Sequence, residues 1–222
     1  MIKAVSPTII LSIFITSCIA FSSWAESLKP IQLIPPDTNS GVPLMKALNH
    51  RMSTKTFTAQ TIPLEKLSNL LWAAFGINRP DSGKRTVATA VNCQDIDIYV
   101  VLKKGVYVYK AKEHILVSVL DRDVQSLAAT QEYAQVAPIN LIYVSDYAKM
   151  ADRFQAKKPI YAAFHAGSIS QNVYLYCASE ELGTVVRDSV DRTKLREVLK
   201  LRKDQFIVMG QSVGYPLQAP TQ

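Results

Sequence analysis

Residues 159 to 182 constrain the fold more than any other stretch. Ala162, Ala166, Ile169, Val173, Cys177 and Leu182 fall nearly on one helical stripe. The small residues Ala163, Gly167, Ser168 and Ser170 let another element approach closely, and Gly183 is the expected stop. A helix this long and apolar needs a cover along its length. The rest of the chain must therefore supply a sheet or further helices to receive it.

Those partners are legible. Pro63 opens a helix whose Leu64, Leu67, Leu70, Leu71 and Ala74 share one face, with Gly76 at its end. Val42 to His50 carries Leu44, Met45 and Leu48 at helical spacing. Ile96, Ile98, Val100 and Leu102 alternate along a strand, Lys103-Lys104-Gly105 turns, and Val106 to Tyr109 returns as the second arm of a hairpin. Ile115 to Leu120 and Gln205 to Met209 read as further strands, Ile139 to Val144 as a central one, and 124 to 135 as weak helix. Asn78 to Lys84 reads as a polar loop, and Asp191 to Leu199 as a helix capped by Asp191. Hairpins mixed with helices, without a steady βαβ alternation, predict an α+β fold with helices packed on one sheet.

Composition narrows the class. A hydrophobic content of 48% with 19% charged residues fits a packed domain and excludes a disordered chain. The net charge of +7 is spread along the sequence, with no basic run and interleaved aromatics of the kind that tracks nucleic acid. An anionic small ligand or a membrane surface fits the same excess. Residues 1–25 read as a signal peptide: Lys3, the short apolar run Ile9 to Phe21, and a cleavage site at Ser23-Trp24-Ala25. The expected location is then periplasmic or secreted. A competing reading takes Ile15-Thr16-Ser17-Cys18 as a lipobox, with membrane attachment through a lipidated Cys18, but the apolar Ile19-Ala20-Phe21 after it weighs against this. Residues 26–41, with Pro30, Pro35, Pro36 and Gly41, read as an extended N-terminal arm that in a dimer can lie across the partner. Outside the targeting segment only Cys93 and Cys177 remain, in apolar contexts that favour free buried thiols over a disulfide.

The chemistry begins at Arg51-Met52-Ser53-Thr54-Lys55. In an extended segment alternate residues share one side, so Arg51, Ser53 and Lys55 would converge on one object. A planar fork, a hydroxyl and a mobile ammonium together suit a phosphate. A solvated basic turn is the plain alternative. Other chemistries have little support. His50, His114 and His165 are scattered, no paired spacing of His or Cys points to a metal, and neither a nucleophile elbow nor a P-loop is present. His165 reads as a core or interface residue, and Asp95 and Asp97 as solvated.

The stretch, with Phe57 after it, resembles the opening FMN-phosphate motif of the nitroreductase superfamily, Arg-x-Ser-x-Arg/Lys. Two further segments follow in that family's order. Arg85 to Gln94 is similar to its Pro-Ser-Ser/Ala-x-Asn-x-Gln segment, with Ala88 in place of Pro. Thr184 to Asp191 is similar to the loop that follows the family's long helix and crosses the flavin. The resemblance spans about Val42 to Pro216 and implies an FMN-binding domain over 42–217, followed by a short tail, 218–222.

It further implies a central mixed, mostly antiparallel sheet flanked by helices in an intertwined homodimer. Arg51, Met52, Ser53 and Lys55 would hold the FMN phosphate. Thr89, Ala90, Asn92 and Gln94 would reach the ring, often from the partner subunit, and the loop at Asp188 and Ser189 would offer a backbone N–H to flavin N5. The basic pair that many members carry after the last strand is missing, so Lys84 or Arg85 is the nearest supplement. The implied activity is ping-pong transfer from a small-molecule donor to an electron-poor acceptor, or dehydrogenation of a small substrate, as in the thiazoline/oxazoline oxidase branch. A non-catalytic periplasmic flavin-binding or flavin-scavenging protein is the alternative from another class.

Overall fold

A computed structural model describes residues 28–217; the expected targeting segment, with Cys18, and the tail 218–222 lie outside the described residues. In chain order the elements are β1 (Ile31–Gln32), α1 (Leu44–His50), α2 (Leu64–Phe75), β2 (Ile77–Arg79), β3 (Lys84–Arg85), β4 (Ile96–Leu102), β5 (Gly105–Lys110) and β6 (Ile115–Leu120). Then follow α3 (Gln125–Ala128), α4 (Glu132–Val136), β7 (Ile139–Asp146), α5 (Lys158–Ser179), β8 (Gly183–Arg187), α6 (Arg192–Val198) and β9 (Gln205–Gly214).

Strand β7 is the spine. All 8 of its residues are buried, which a strand covered on both faces requires. It pairs with β4 on one side and β9 on the other, in a sheet of order β1-β6-β5-β4-β7-β9-β8. Every pairing in that sheet is antiparallel. Side-chain alternation then sorts the core into two layers. Ile96, Ile98 and Val100 of β4 join α2 and α5 on one face, whereas Tyr99 and Val101 join Leu195 and Leu199 on the other.

Several expectations shift. Helix α5 ends at Ser179, because Glu181 takes a left-handed φ of 58° and the Leu182 N–H bonds back to the Cys177 carbonyl. Gly183 opens β8 instead of stopping the helix. A Cβ there would meet the Thr54 side chain at 2.7 Å, so its use is close approach. Residues 183–187, expected as loop, pair with β9, Thr184 opposite Val213. The last strand runs on to Gly214. The arm lies on its own chain: β1 pairs with β6, Leu33 is buried, and the Ile34, Asp37 and Val42 N–H groups donate to Ser68, Asn69 and Ser179. Asn78 to Lys84 forms most of a small hairpin, turned at Gly83 with φ of 61°. Cys93 and Cys177 are free.

A buried polar network closes the β7–β9–β8 edge. The Arg187 Nε donates to Ser212 Oγ at 2.9 Å, Nη2 to Asn140 Oδ1 at 2.5 Å, and Nη1 to the carbonyls of Ala128 and Ser189 at 2.6 and 2.9 Å. Burial pushes this guanidinium down to about 10, so it stays charged at neutral pH although all four acceptors are neutral. Thr184, Gln211 and Tyr143 continue the network, with Tyr143 Oη donating to Gln211 Oε1 at 2.5 Å. Replacing Arg187 with Met takes the donor from Ser212 Oγ and from the Ala128 and Ser189 carbonyls, and leaves Asn140 Oδ1 only the Ser212 hydroxyl. The expected loss is about 3 kcal/mol, or roughly 6–12 °C in Tm for a domain of this size. Thermal unfolding of Arg187→Met measures it; a loss under about 1 kcal/mol would show that the edge does not depend on the guanidinium.

Candidate functional site

The segment after α1 is pinned at two points and open between them. The Thr54 N–H donates to the Thr184 carbonyl at 2.9 Å, and Phe57 forms an isolated bridge with Pro216. Arg51 is half-buried, with its guanidinium carbon 5.3 Å from the centre of the Tyr174 ring. Ser53 Oγ lies 2.9 Å from Tyr174 Oη. That phenol oxygen also accepts the Val186 N–H at 3.0 Å; when its own proton goes to Ser53, the Ser53 proton is free to point outward. Met52 and Lys55 are exposed. Among the described residues neither Arg51 nor Lys55 is paired with a carboxylate.

The second motif is a tight loop between β3 and β4. Val91, Asn92 and Gln94 have φ of 48°, 55° and 47°, a region that costs a non-glycine residue roughly 1–3 kcal/mol. Bonds within the loop repay part of this. The Asn92 and Cys93 N–H groups donate to the Thr89 and Ala90 carbonyls, and the Gln94 N–H to Thr89 Oγ1. The Gln94 side chain is consumed there as well: Oε1 accepts from Arg85 Nε at 2.7 Å, and Nε2 donates to Gly83 O and Asn92 Oδ1. Thr89 and Gln94 thus hold the loop, while Val91 and Asn92 stand exposed at its tip. Arg85 is unavailable to a phosphate. Its guanidinium lies over the Phe75 ring at 4.3 Å and bonds the Phe75 carbonyl, and burial lowers its proton affinity.

Behind this loop sits a pair of which the sequence reading placed only His165 in the core. Asp95, expected to be solvated, is fully buried, as is His165. Asp95 accepts from His165 Nδ1 at 2.5 Å, Ser145 Oγ at 2.6 Å and Cys93 Sγ at 3.4 Å. Burial alone would raise the Asp95 carboxyl, but the bonds from His165 and Ser145 outweigh it and hold the group below the usual carboxylate range. Burial and the Asp95 charge push the Cys93 thiol up. The Ala90 N–H donates to His165 Nε2 at 2.8 Å, which assigns the lone pair to Nε2 and the proton to Nδ1. Cys93, Asp95 and His165 have donor atoms within 4.8 Å of one another. That tautomer nevertheless leaves Nδ1 no lone pair for a metal.

The third motif leaves the sheet edge at the end of β8. The Asp188 carboxylate turns back to Arg192 at 2.5 Å, and Ser189 Oγ donates to Gln131 Oε1 at 2.8 Å. Among the described residues the backbone N–H groups of Asp188 and Ser189 donate to no acceptor.

Helix α5 organises all of this, with Tyr174 under the first motif and His165 behind the second. Nine residues of helix separate two positions by about 13.5 Å and half a turn. One chain therefore places Arg51 and Ser53 beside β8, through Thr54, and sends the Thr89–Gln94 loop to the other flank of the helix. Sequence reasoning missed Tyr174, the Asp95–His165 pair and Arg187. The only signals were a histidine beside an apolar stripe and an arginine closing a β-branched run.

Comparison with known proteins points the same way. The Nitroreductase family profile matches residues 48–215. A provisionally named nitroreductase of Methanocaldococcus jannaschii is 30% identical over 178 residues, 76% of this chain and 89% of that protein. The crystal structure of another provisionally named nitroreductase, from Ralstonia eutropha JMP134, superposes with a TM-score of 0.82 at 37% identity, covering 87% of this chain and 92% of that one. A Desulfovibrio desulfuricans protein crystallised with FMN shares the fold, with a TM-score of 0.58 at 18% identity over 82% of this chain and 91% of that one. An antiparallel sheet carrying one long helix, with all three motifs arrayed around that helix and these relatives beside it, makes the chain a member of the nitroreductase family of oxidoreductases.

Proposed function

We propose that the protein is an FMN-dependent oxidoreductase that works as a homodimer, each flavin lying between two chains. The observation that carries this reading is the donor set after α1. Arg51, Ser53 and Lys55 have no carboxylate partner among the described residues and match the oxygens of a phosphate. The bound flavin would supply reversible two-electron storage. The chain's own residues do the rest. Arg51, restrained over Tyr174, balances the phosphate charge, and Ser53 donates outward. The N–H groups of Asp188 and Ser189 offer dipoles to a ring edge that gains charge on reduction, and Arg192 neutralises the carboxylate nearby.

Two features support a second chain. The phosphate and ring motifs lie on opposite flanks of α5. In addition, Leu44, Met45 and Leu48 on α1 and Ile160 and Phe164 on α5 are exposed apolar side chains that a partner would bury. The substrate class is an electron-poor or dehydrogenatable small molecule. With residues 1–25 read as an export signal, the physiological donor is a reductant other than free NAD(P)H.

The purified protein should be yellow, bleach anaerobically with a donor and recolour with an acceptor. A flavin that no donor reduces would make it a carrier instead. In fluorescence titration, Arg51→Ala should cost about 2–4 kcal/mol of FMN affinity, roughly 30- to 1,000-fold. Lys55→Ala should cost less, about 1–2 kcal/mol, because water replaces an exposed point charge more easily. Riboflavin, which lacks the phosphate, should lose little in either variant; equal losses for the two flavins would mean that Arg51 supports the fold instead. Sedimentation should show a dimer burying upwards of about 2,000 Å², and Phe164→Glu should give monomers that release FMN. A wild-type monomer that still holds FMN would sink the two-chain site.

A further inference from the structure

The Thr89–Gln94 loop resists its own conformation, most of all at the β-branched Val91 with φ of 48°. Such geometry persists only where the surroundings impose it. The bonds inside the loop close it on itself, whereas its tie to α5 runs through the Ala90 N–H to His165 Nε2, at 2.8 Å. His165 also reaches Asp95, just beyond the other end of the loop, through Nδ1 at 2.5 Å. One fully buried imidazole thus bridges both ends of the strained segment.

The chemistry runs in one direction. Asp95 faces three donors, from Ser145, Cys93 and His165, and as a carboxylate it can only accept. It therefore keeps the proton on His165 Nδ1, which keeps the lone pair on Nε2, which receives the Ala90 N–H. We propose that Asp95 and His165 form a tautomer lock: positioning residues that hold the Ala90–Asn92 tip in the shape that meets the flavin ring. The proposal rests on the reading of this loop as the ring-contact segment.

The test uses His165→Leu, His165→Gln and Asp95→Ala with two readouts. The first is amide hydrogen exchange over 89–94 in flavin-free protein; the second is titration with FMN and with riboflavin. Leucine removes both bonds. Alanine at 95 removes the acceptor that keeps the proton on His165 Nδ1, so the proton can move to Nε2 and face the Ala90 N–H. Both variants should raise exchange over 89–94 about tenfold with β7 unchanged. Both should weaken FMN and riboflavin by a similar factor, about ten- to hundredfold, because the phosphate contacts are untouched. Glutamine can accept from Ala90 and donate to Asp95, so His165→Gln should stay within about threefold of wild type.

Wild-type exchange in His165→Leu would overturn the lock. So would raised exchange with unchanged flavin affinity, or equal damage from glutamine and leucine. If His165→Leu does not fold, Asp95→Ala carries the same comparison. A wild type that binds no flavin would refute the cofactor reading, while the exchange data would still decide whether the pair holds the loop.

Discussion

The seating of α5 on the sheet is the interaction on which everything else depends. Ala162, Ala166, Ile169, Val173 and Cys177 are all but inaccessible to water, on a helix packed against β4, β8 and β9. Burying side chains such as Ile169 and Val173 contributes about 1.5–3 kcal/mol each. The contact also orients the helix, so that positions on its flanks become fixed points. Tyr174 uses one flank to restrain Arg51 and Ser53; His165 uses the other to hold Ala90. A helix that slid or rolled would misplace both motifs at once.

The site stands on polar groups that are expensive to bury. Arg187 has four neutral acceptors and no carboxylate, and Asp95 has three donors. Among the described residues no buried side-chain nitrogen or oxygen lacks a partner, so removing one member exposes the desolvation cost of the others. Arg187 ties β8 and the Ser189 loop to α3 and β7, and Asp95 ties the strained loop to α5. Two deeply buried charged groups therefore sit one step behind two of the three motifs. The same economy explains Gln94 and Arg85, whose hydrogen-bonding capacity stabilises the loop so that Asn92 can remain at its tip.

Much of the architecture was legible in the residues because it follows from periodicity. The β4–β5 hairpin, the buried run of β7, the face of α2 (except Leu64, which is exposed) and the Asp191 cap of α6 are local patterns, and each formed where it was read. Two errors of boundary share one cause. Gly183 was read as a helix stop from its place in the sequence, yet a left-handed Glu181 ends α5 and the glycine serves a neighbour from elsewhere in the chain. Thr184-Val185-Val186 carried a strand signal that became decisive only once β9 lay beside it.

By itself, then, the sequence determined the longer helices, the β4–β5 hairpin, the order of the three motifs and the kind of chemistry that Arg51, Ser53 and Lys55 can do, since each is a property of residue type and spacing. Tertiary structure alone decided that Asp95 is buried and paired with a histidine 70 residues away. It also decided that Arg187 works inside the core, and that the Arg51–Lys55 and Thr89–Gln94 segments lie on opposite flanks of α5. Burial and partnership are set by whatever packs across the sheet, and no local pattern carries that information.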